Sequence, residues 1–377
     1  MRGKGGIMID ESRVVERFMN YVRIGSETHF EGEMSRYLAQ ELRDLGFEVY
    51  VDRAGETVES DGNNVYCFLP GDESFERLMF SSHMDTVTPG NHVEPVIRDG
   101  YIVAAGDTIL GADDKAGIAA IVEALVTIQE NNIPHRPIEA VFTVREEDGL
   151  LGAANLEYDK LKAKKAIVLD ASDDVGKIVA RAPGHYQMRA EIFGKRSHAG
   201  SDPEKGVSAV QAAVLGASRM KLQRIDEETT ANIGTLSTVG ATNVVQDHCL
   251  FEAETRSRNA EKLEAQIQDM VRCMKEACDE LGARVECKVW KKYDAYDYPD
   301  DHPHVQFLAE KCRQAGVKPW ITHSGGATDG NVFNAKGITT AVLSCGMEKE
   351  HTKEERIAVY NLVNIAKVVL QIMRVDQ

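Results

Sequence analysis

The sequence predicts an α/β protein with a mostly parallel sheet, interrupted by a smaller α+β domain. Short apolar runs at 78–80, 138–144 and 166–169 alternate with helical patterns, an order typical of parallel sheets covered by helices. Between about 183 and 296 the order changes to β-α-β-β-α-β, which is typical of ferredoxin-like domains. A length of 377 residues also favours two compact units over a single core.

Two amphipathic helices come first. Asp10 is the candidate N-cap of the first helix, and Gly46 is the candidate C-terminal cap of the second. Each helix repeats apolar residues at intervals of four, in the series Val14, Phe18, Val22 and the series Met34, Leu38, Leu42. A longer helix is predicted after the strand at 78–80, with apolar residues at helical spacing: Ile118, Ile121, Val122, Leu125 and Ile128.

The last strand of the larger domain, 339–343, follows the inserted segment. The insertion contains, in order, a strand at 186–193, a helix at 207–222, strands at 231–239 and 249–255, a helix at 261–281 and a strand at 284–290. An acidic, proline-containing stretch at 294–303 returns the chain. We therefore predict one domain formed by 1–182 and 297–377, and a second formed by 183–296.

Composition narrows the class of function. Lys and Arg number 44 against 60 Asp and Glu, a net charge of −16, which argues against nucleic acid or an anionic membrane surface as the main partner. The seven cysteines lack any Cys-x-x-Cys pair, so we interpret them as reduced thiols of a cytoplasmic protein. We expect no membrane span, and no export segment at Met1–Met8.

Carboxylates and histidines follow the predicted strands. His83, Glu146, Glu147 and Asp170 each come just after an apolar run, and His351 follows the last one. Ligands of open α/β sheets bind outside those strand ends. Together with Asp85 and Asp113, these side chains predict a site for two metal ions that leaves one carboxylate free for proton transfer. Each alone has a plainer interpretation, such as a solvated charge pair, a helix-start charge or an exposed loop histidine.

The motifs extend this pattern over nearly the whole chain. They are Ser82-His-Met-Asp85, Gly111-Ala-Asp-Asp-Lys-Ala-Gly117, Glu146-Glu147, Asp170, Ser197-His-Ala-Gly200, Asn243-Val-Val and Gly325-Gly-Ala-Thr-Asp329. In order and spacing the sequence resembles the dizinc metallopeptidases that include peptidase T, carboxypeptidase G, aminoacylase and succinyl-diaminopimelate desuccinylase. It is most similar to the peptidase T-like members, for which Gly-Ala-Asp-Asp-Lys-Ala-Gly is characteristic.

The resemblance implies a role for each site residue. Asp113 would bridge two Zn²⁺ ions, with His83 and Asp170 on one ion and Glu147 and His351 on the other; Co²⁺ or Mn²⁺ would suit the same ligands. Glu146 would be the general base, and Asp85 would accept the second ring N–H of His83. Asp114 is interpreted as a solvated charge at a helix start. Arg145 precedes the glutamates, where it would alter the pKa of Glu146 or meet substrate.

Further residues are implied to bind substrate. His198 resembles a lid histidine that donates to the developing oxyanion, and Asn243 and Arg256 match substrate-binding positions. Gly325 and Gly326 would let the backbone approach the substrate. The alternatives are a structural histidine, a surface salt bridge and a simple turn.

The resulting expectation is a cytoplasmic dizinc aminopeptidase for short peptides, tripeptides foremost. The inserted domain would be its lid and would form a homodimer. Within the resembled family, aspartate at the position of Asp170 accompanies aminopeptidases, whereas glutamate is usual in carboxypeptidases and deacylases. An N-acyl amino acid deacylase or a carboxypeptidase is the alternative among enzymes. A catalytically silent metal-binding protein is the alternative outside them.

Overall fold

The chain folds into two compact units, one formed by the segments before Arg181 and after Asp297 and the other by Arg181–Asp297. The computed structural model describes residues 9–375, so the expectation about Met1–Met8 concerns a stretch outside the described residues. Within 9–375, no helix combines the length and apolar character needed to cross a membrane. The predicted roles of the two units, catalytic domain and lid, stay predictions.

The described residues form nineteen strands and ten α-helices. Those before residue 183 are α1 (Glu11–Arg23), α2 (Gly32–Asp44), β1 (Glu48–Val51), α3 (Ala54–Val58), β2 (Val65–Leu69), β3 (Leu78–His83), β4 (Pro95–Arg98), β5 (Tyr101–Ala104), α4 (Ala112–Asn131), β6 (Ile138–Thr143), α5 (Leu151–Ala154), β7 (Lys165–Ser172) and β8 (Lys177–Ala182). Next come β9 (Gly184–Phe193), β10 (Ser197–His198), α6 (Ala209–Arg219), β11 (Gln223–Arg224), β12 (Thr229–Ser237), β13 (Val244–Val245), β14 (His248–Ser257), α7 (Ala260–Leu281), β15 (Arg284–Tyr293) and β16 (Tyr296–Asp297). The last are α8 (Pro303–Gln314), β17 (Trp320–His323), α9 (Asp329–Ala335), β18 (Thr339–Glu348), β19 (Arg356–Ala358) and α10 (Val359–Met373).

The centre of the large sheet is parallel. Its four central strands lie in the order β6-β3-β7-β18, and every residue of β3 and β6 is buried. Antiparallel strands extend it, β2 and β1 beyond β6 and β19, β5 and β4 beyond β18. The predicted α/β class with a parallel centre is confirmed. The antiparallel flanks were not predicted, because strands of three to five residues carry too little pattern.

The helices pack on this sheet as their sequences predict. Asp10 caps α1 by accepting the N–H of Arg13 at 3.0 Å. Gly46, just beyond α2, has a φ of 87°, a conformation that glycine adopts without steric cost. Helix α4 contacts α1, α10 and β3, and its residues from Ala112 to Ile128 are buried. It is therefore a central core helix, and it carries Asp113 at its beginning.

The unit Arg181–Asp297 has a five-stranded antiparallel sheet in the order β11-β12-β14-β9-β15. Alternate side chains of two central strands share a core with α6 and α7: Met188, Ala190, Ile192, Cys249, Phe251 and Ala253. The predicted β-α-β-β-α-β order is present, and short β10, β11 and β13 are additions that the sequence patterns did not indicate.

The carboxyl ends of the central strands bring the polar motifs together. Strand β3 ends at His83 and β6 at Thr143, just before Glu146, whereas β7 includes Asp170 near its end. These strands are parallel neighbours, so their last residues lie at one edge of the sheet.

Candidate metal centre

His83 and Asp170 face Asp113 across the ends of β3 and β7. The Nε2 atom of His83 lies 3.1 Å from Oδ1 of Asp113 and 3.8 Å from Oδ1 of Asp170. The Nδ1 atom lies 2.9 Å from the backbone oxygen of Asp85. A carbonyl oxygen only accepts, so Nδ1 carries a proton and Nε2 is the atom directed at the two carboxylates.

Glu147 and His351 face Asp113 from its other side. The Nε2 atom of His351 lies 3.2 Å from Oδ2 of Asp113 and 3.1 Å from Oε2 of Glu147. Potential ligand atoms of His83, Asp113 and Asp170 all lie within 4.8 Å of one another, and so do those of Asp113, Glu147 and His351. Asp113 is common to both groups and directs one oxygen to each histidine.

The donor chemistry and charge of this cluster fit two cations. All five side chains offer nitrogen or oxygen, the ligands that Zn²⁺ accepts in hydrolytic sites. Burial, with Glu146 and Asp113 nearby, raises the pKa of Asp170 well above its ordinary value. In the described part of the chain, Oε1 of Glu147 is buried without a hydrogen-bond partner. Carboxylates buried at this density are stabilised as anions by positive charge close by, which two cations would provide.

Glu146 lies beside the cluster and is 8% exposed. Burial raises its pKa well above the ordinary value, and the negative charges of Asp329, Glu147 and Asp85 act in the same direction. Its position next to Glu147 but outside both groups of potential ligands leaves it available for proton transfer.

The carboxylate of Asp85 holds the two glutamates by their backbone. Its Oδ1 accepts the N–H of Glu146 at 2.9 Å, and its Oδ2 accepts the N–H of Glu147 at 3.2 Å. Thr28 Oγ1 donates to Oδ2 at 3.0 Å. The Nδ1 atom of His83, predicted to donate to this carboxylate, lies 2.9 Å from the backbone oxygen of Asp85 and 3.5 Å from its Oδ1.

Asp114 is not a solvated helix-start charge, and that prediction is wrong. Its side chain is completely buried, and its Oδ2 accepts from Ser82 Oγ at 2.6 Å and from the N–H of His83 at 3.2 Å. Asp114 is part of α4, a helix that lies inside the core. Two neighbouring aspartates in the sequence do not indicate that burial. Asp114 therefore holds the end of β3 through Ser82 and the backbone of His83.

Arg145 makes contacts that the sequence did not indicate, and its predicted effect on Glu146 or on substrate stays a prediction. Its guanidinium donates to Asp148, with Nε to Oδ1 at 3.0 Å, and to the backbone oxygens of Val58 and Glu59. Arg145 is 6% exposed, and its φ of 54° turns the chain immediately before Glu146. Because its donors are engaged in this way, Arg145 anchors the turn that carries the two glutamates.

Asp329 is a site residue that sequence reasoning missed. It is 2% exposed, and its Oδ2 accepts from Thr143 Oγ1 at 2.5 Å. Thr143 lies three residues before Glu146 in the sequence. Burial raises the pKa of Asp329 to about 6, with the charge of Asp85 acting in the same direction. Its place at the end of the motif Gly325-Gly-Ala-Thr-Asp329 was the available signal.

The other predicted substrate residues are placed in separate surroundings. His198, in β10, pairs with Val244 next to Asn243, and its Nδ1 accepts the N–H groups of Gly200 and Ser201 at 3.1 Å. Arg256 donates to Glu254 at 3.1 Å near the far end of β14. Arg256 lies eight positions beyond His248, the first residue of β14, a span of about 26 Å along the strand. The predicted part of His198, Asn243 and Arg256 in substrate binding stays a prediction.

Gly325 and Gly326 lie in the loop between β17 and α9. A Cβ atom at Gly325 would meet nothing within 4 Å, and one at Gly326 would meet only Ser324 Oγ at 3.9 Å. The backbone is thus open on that side, and its predicted approach to substrate stays a prediction.

Comparisons with known proteins identify the family of the chain. The profile of Peptidase family M20/M25/M40 matches residues 79–375. The solved structure of the aminopeptidase PepT from Bacillus cereus is similar with a TM-score of 0.92 and 41% identity, over 98% of this chain and 99% of that one. A tripeptidase from Staphylococcus aureus is similar with a TM-score of 0.94 and 40% identity, over 97% of this chain and 98% of that one. Peptidase T of Serratia proteamaculans is 27% identical over 409 residues, covering 96% of this chain and 97% of the relative. The chain belongs to peptidase family M20/M25/M40, and it is a peptidase.

Proposed function

We propose that this peptidase is a two-metal aminopeptidase that removes the N-terminal residue of short peptides, tripeptides foremost. One observation carries the proposal: Asp113 directs Oδ1 to His83 and Oδ2 to His351, at 3.1 and 3.2 Å, between two groups of potential metal ligands. An aminopeptidase and a tripeptidase are similar to the chain over nearly its whole length, at 41% and 40% identity. That likeness supports the choice of substrate.

Two Zn²⁺ ions are the proposed cofactors, with Co²⁺ or Mn²⁺ as metals that the same ligands would accept. Asp113 would be shared, His83 and Asp170 would complete one position, and Glu147 and His351 the other. The metals would supply Lewis-acid polarisation of the scissile carbonyl and a lowered pKa for the attacking water. The mixed imidazole and carboxylate donor set supports this assignment.

The residues of the chain would handle the proton. Glu146 would take a proton from the attacking water at its carboxylate and pass it to the nitrogen of the leaving amine. Burial raises the pKa of Glu146 and so makes its carboxylate a stronger base than that of an exposed glutamate, which supports this role. Asp85 would keep this carboxylate in place, because it holds the N–H groups of Glu146 and Glu147.

A groove in the same unit offers room for peptide. It has a volume of about 590 Å³ and is lined by Ser172, Asp173, Asp174, Trp320, Met347, Glu348, Lys349 and Glu350. Ser172 follows Asp170 by two residues and Glu350 precedes His351, so the groove borders segments that carry proposed ligands. His198, Asn243, Arg256, Gly325 and Gly326 keep their proposed part in substrate binding.

The location and assembly are also part of the proposal. All seven cysteines are free thiols, and six of them are buried, which supports a reducing compartment such as the cytoplasm. The unit Arg181–Asp297 would form the homodimer contact, a role that rests on the resemblance alone.

The test compares an unblocked tripeptide with its N-acetylated form. Chelator-stripped protein is assayed with and without added Zn²⁺, and free amino acid is measured. Zinc-dependent release from the unblocked peptide alone is the expected result. Cleavage of the acetylated peptide would contradict the aminopeptidase assignment and favour a deacylase or a carboxypeptidase, and cleavage by the stripped protein at the full rate would contradict the metal assignment.

A further inference from the structure

Glu355 is a buried carboxylate with no part in the proposed chemistry. It is 1% exposed and lies in the loop between β18 and β19 that also carries His351. Three backbone N–H groups donate to it: Leu110 and Gly111 to Oε2 at 2.8 and 2.7 Å, and Asp113 to Oε1 at 3.0 Å. Both of its oxygens are therefore used on the turn that presents Asp113.

The backbone N–H groups of that turn need an acceptor from another segment of the chain. The turn leads into α4, whose N-cap Gly111 has no side chain to accept the first N–H groups of the helix. Asp113 also has a non-helical backbone, with φ −79° and ψ 102°, although it stands at the start of a long buried helix. Glu355 accepts the N–H of Asp113 in this conformation and supplies the missing cap from a distant segment.

The loop between Glu355 and His351 is itself held together. The N–H of Glu355 donates to the backbone oxygen of Thr352 at 3.0 Å, and Thr352 Oγ1 donates to the backbone oxygen of Lys349 at 2.7 Å. A short, internally bonded loop thus connects the residue that holds Asp113 to a residue that faces Asp113.

We propose that Glu355 is a positioning residue of the metal centre: it fixes the shared carboxylate Asp113 relative to His351, so that both metal positions bind tightly. This inference rests on the proposed two-metal function. Asp113 must direct one oxygen to each histidine at the same time, and rotation of its backbone would remove one of these contacts. Partners that orient metal ligands in this way typically contribute about 10- to 100-fold to metal affinity.

The deciding variant is Glu355→Gln. Glutamine keeps the size of the side chain but has only one acceptor oxygen, so at least one N–H of the turn faces an amide NH₂ group instead. Two matched variants separate the role of Glu355 from loss of charge and of stability. Glu354→Gln changes its exposed neighbour, which pairs with Lys349. Glu139→Gln changes a second buried glutamate, 1% exposed, which accepts the N–H groups of Lys162 and Ala163 near the start of β6.

The experiment titrates each chelator-stripped full-length protein with Co²⁺ and follows both heat and visible absorption, a signature of ligand geometry. Unfolding midpoints are measured in parallel. We expect wild type, Glu354→Gln and Glu139→Gln to bind two ions with similar affinity. Glu355→Gln should lose at least tenfold in affinity for one ion or both, and its cobalt spectrum should change. Glu139→Gln controls for stability, because its lowered unfolding midpoint should leave metal binding unaltered.

Two results would overturn the inference, and only the second would also contradict the proposed function. If wild type binds two ions and Glu355→Gln matches it in affinity and spectrum, the positioning role is wrong and the proposed function stands. If wild type itself binds no metal ion, the proposed function fails and this inference fails with it.

Discussion

The carboxylate of Asp85 accepts the backbone N–H of Glu146 at 2.9 Å, and the backbone oxygen of Asp85 lies 2.9 Å from Nδ1 of His83. One residue thus touches both the proposed base and a proposed metal ligand. Because the carboxylate also accepts the N–H of Glu147, Asp85 links the ends of two neighbouring strands, β3 and β6. Its effect on activity should come from position, since its side chain is completely buried.

Asp85→Asn should lower kcat by about 10- to 100-fold with a small change in KM, because an amide NH₂ group replaces one acceptor of the two N–H bonds. Steady-state kinetics on an unblocked tripeptide would measure both constants. Asp72→Asn, a change at an exposed aspartate that accepts the N–H of Ser74, is the control. A loss confined to KM would count against a positioning role.

Glu146→Gln should keep its metal but lose at least about 100-fold in turnover, because glutamine cannot accept and release the proton. Metal content and kcat are to be measured on the same preparation. Glu73→Gln, at an exposed residue whose side chain is 71% accessible, should match wild type in both. Near-normal turnover of Glu146→Gln would contradict the assignment of Glu146 as the general base.

His83→Ala should lose bound metal, because His83 is the only nitrogen in the group with Asp113 and Asp170. The matched control is His304→Gln, at another buried histidine that contacts the backbone oxygen of Ala166 at 2.9 Å. Elemental analysis after dialysis should show a reduced ratio of metal to protein in His83→Ala alone. Equal ratios in the two variants would contradict the assignment of His83 as a ligand.

His304 should make stability depend on pH. Burial lowers the pKa of this 1% exposed histidine to about 4, whereas its pKa in the unfolded chain is about 6.5. Between these values the unfolded state binds the proton and the folded state does not, so stability falls as the pH falls from about 6.5 to about 4. From pH 7 to pH 5, this group should remove about 2 kcal/mol of unfolding free energy.

Urea unfolding of wild type and His304→Gln at pH 7 and pH 5 checks this. The fall in unfolding free energy should be smaller in the variant by about 2 kcal/mol, whereas His92→Gln, at an exposed histidine, should behave as wild type. An equal fall in wild type and His304→Gln would show that His304 does not bind the proton as proposed.

Much of the fold could be predicted because its signals are local. Apolar runs marked the central strands, helical spacing marked α1, α2 and α4, and the changed order of elements marked the inserted α+β segment. The short strands at the flanks of the sheet were missed, since they are recruited by pairing with a neighbour and have little pattern of their own.

The sequence by itself determined the family and the peptidase class, and it named the side chains proposed for the metal centre. His83 and Asp170 lie in the last residues of their strands, and Glu147 and His351 lie in the loops that follow theirs; the strand ends of a parallel sheet share one edge. Only the tertiary structure decided the surroundings. Asp114 is buried because α4 lies in the core, Arg145 is engaged because a loop around Glu59 accepts its donors, and Glu355 reaches Asp113 across 242 residues of chain. Such contacts join segments far apart in sequence, and spacing along the chain carries no information about them.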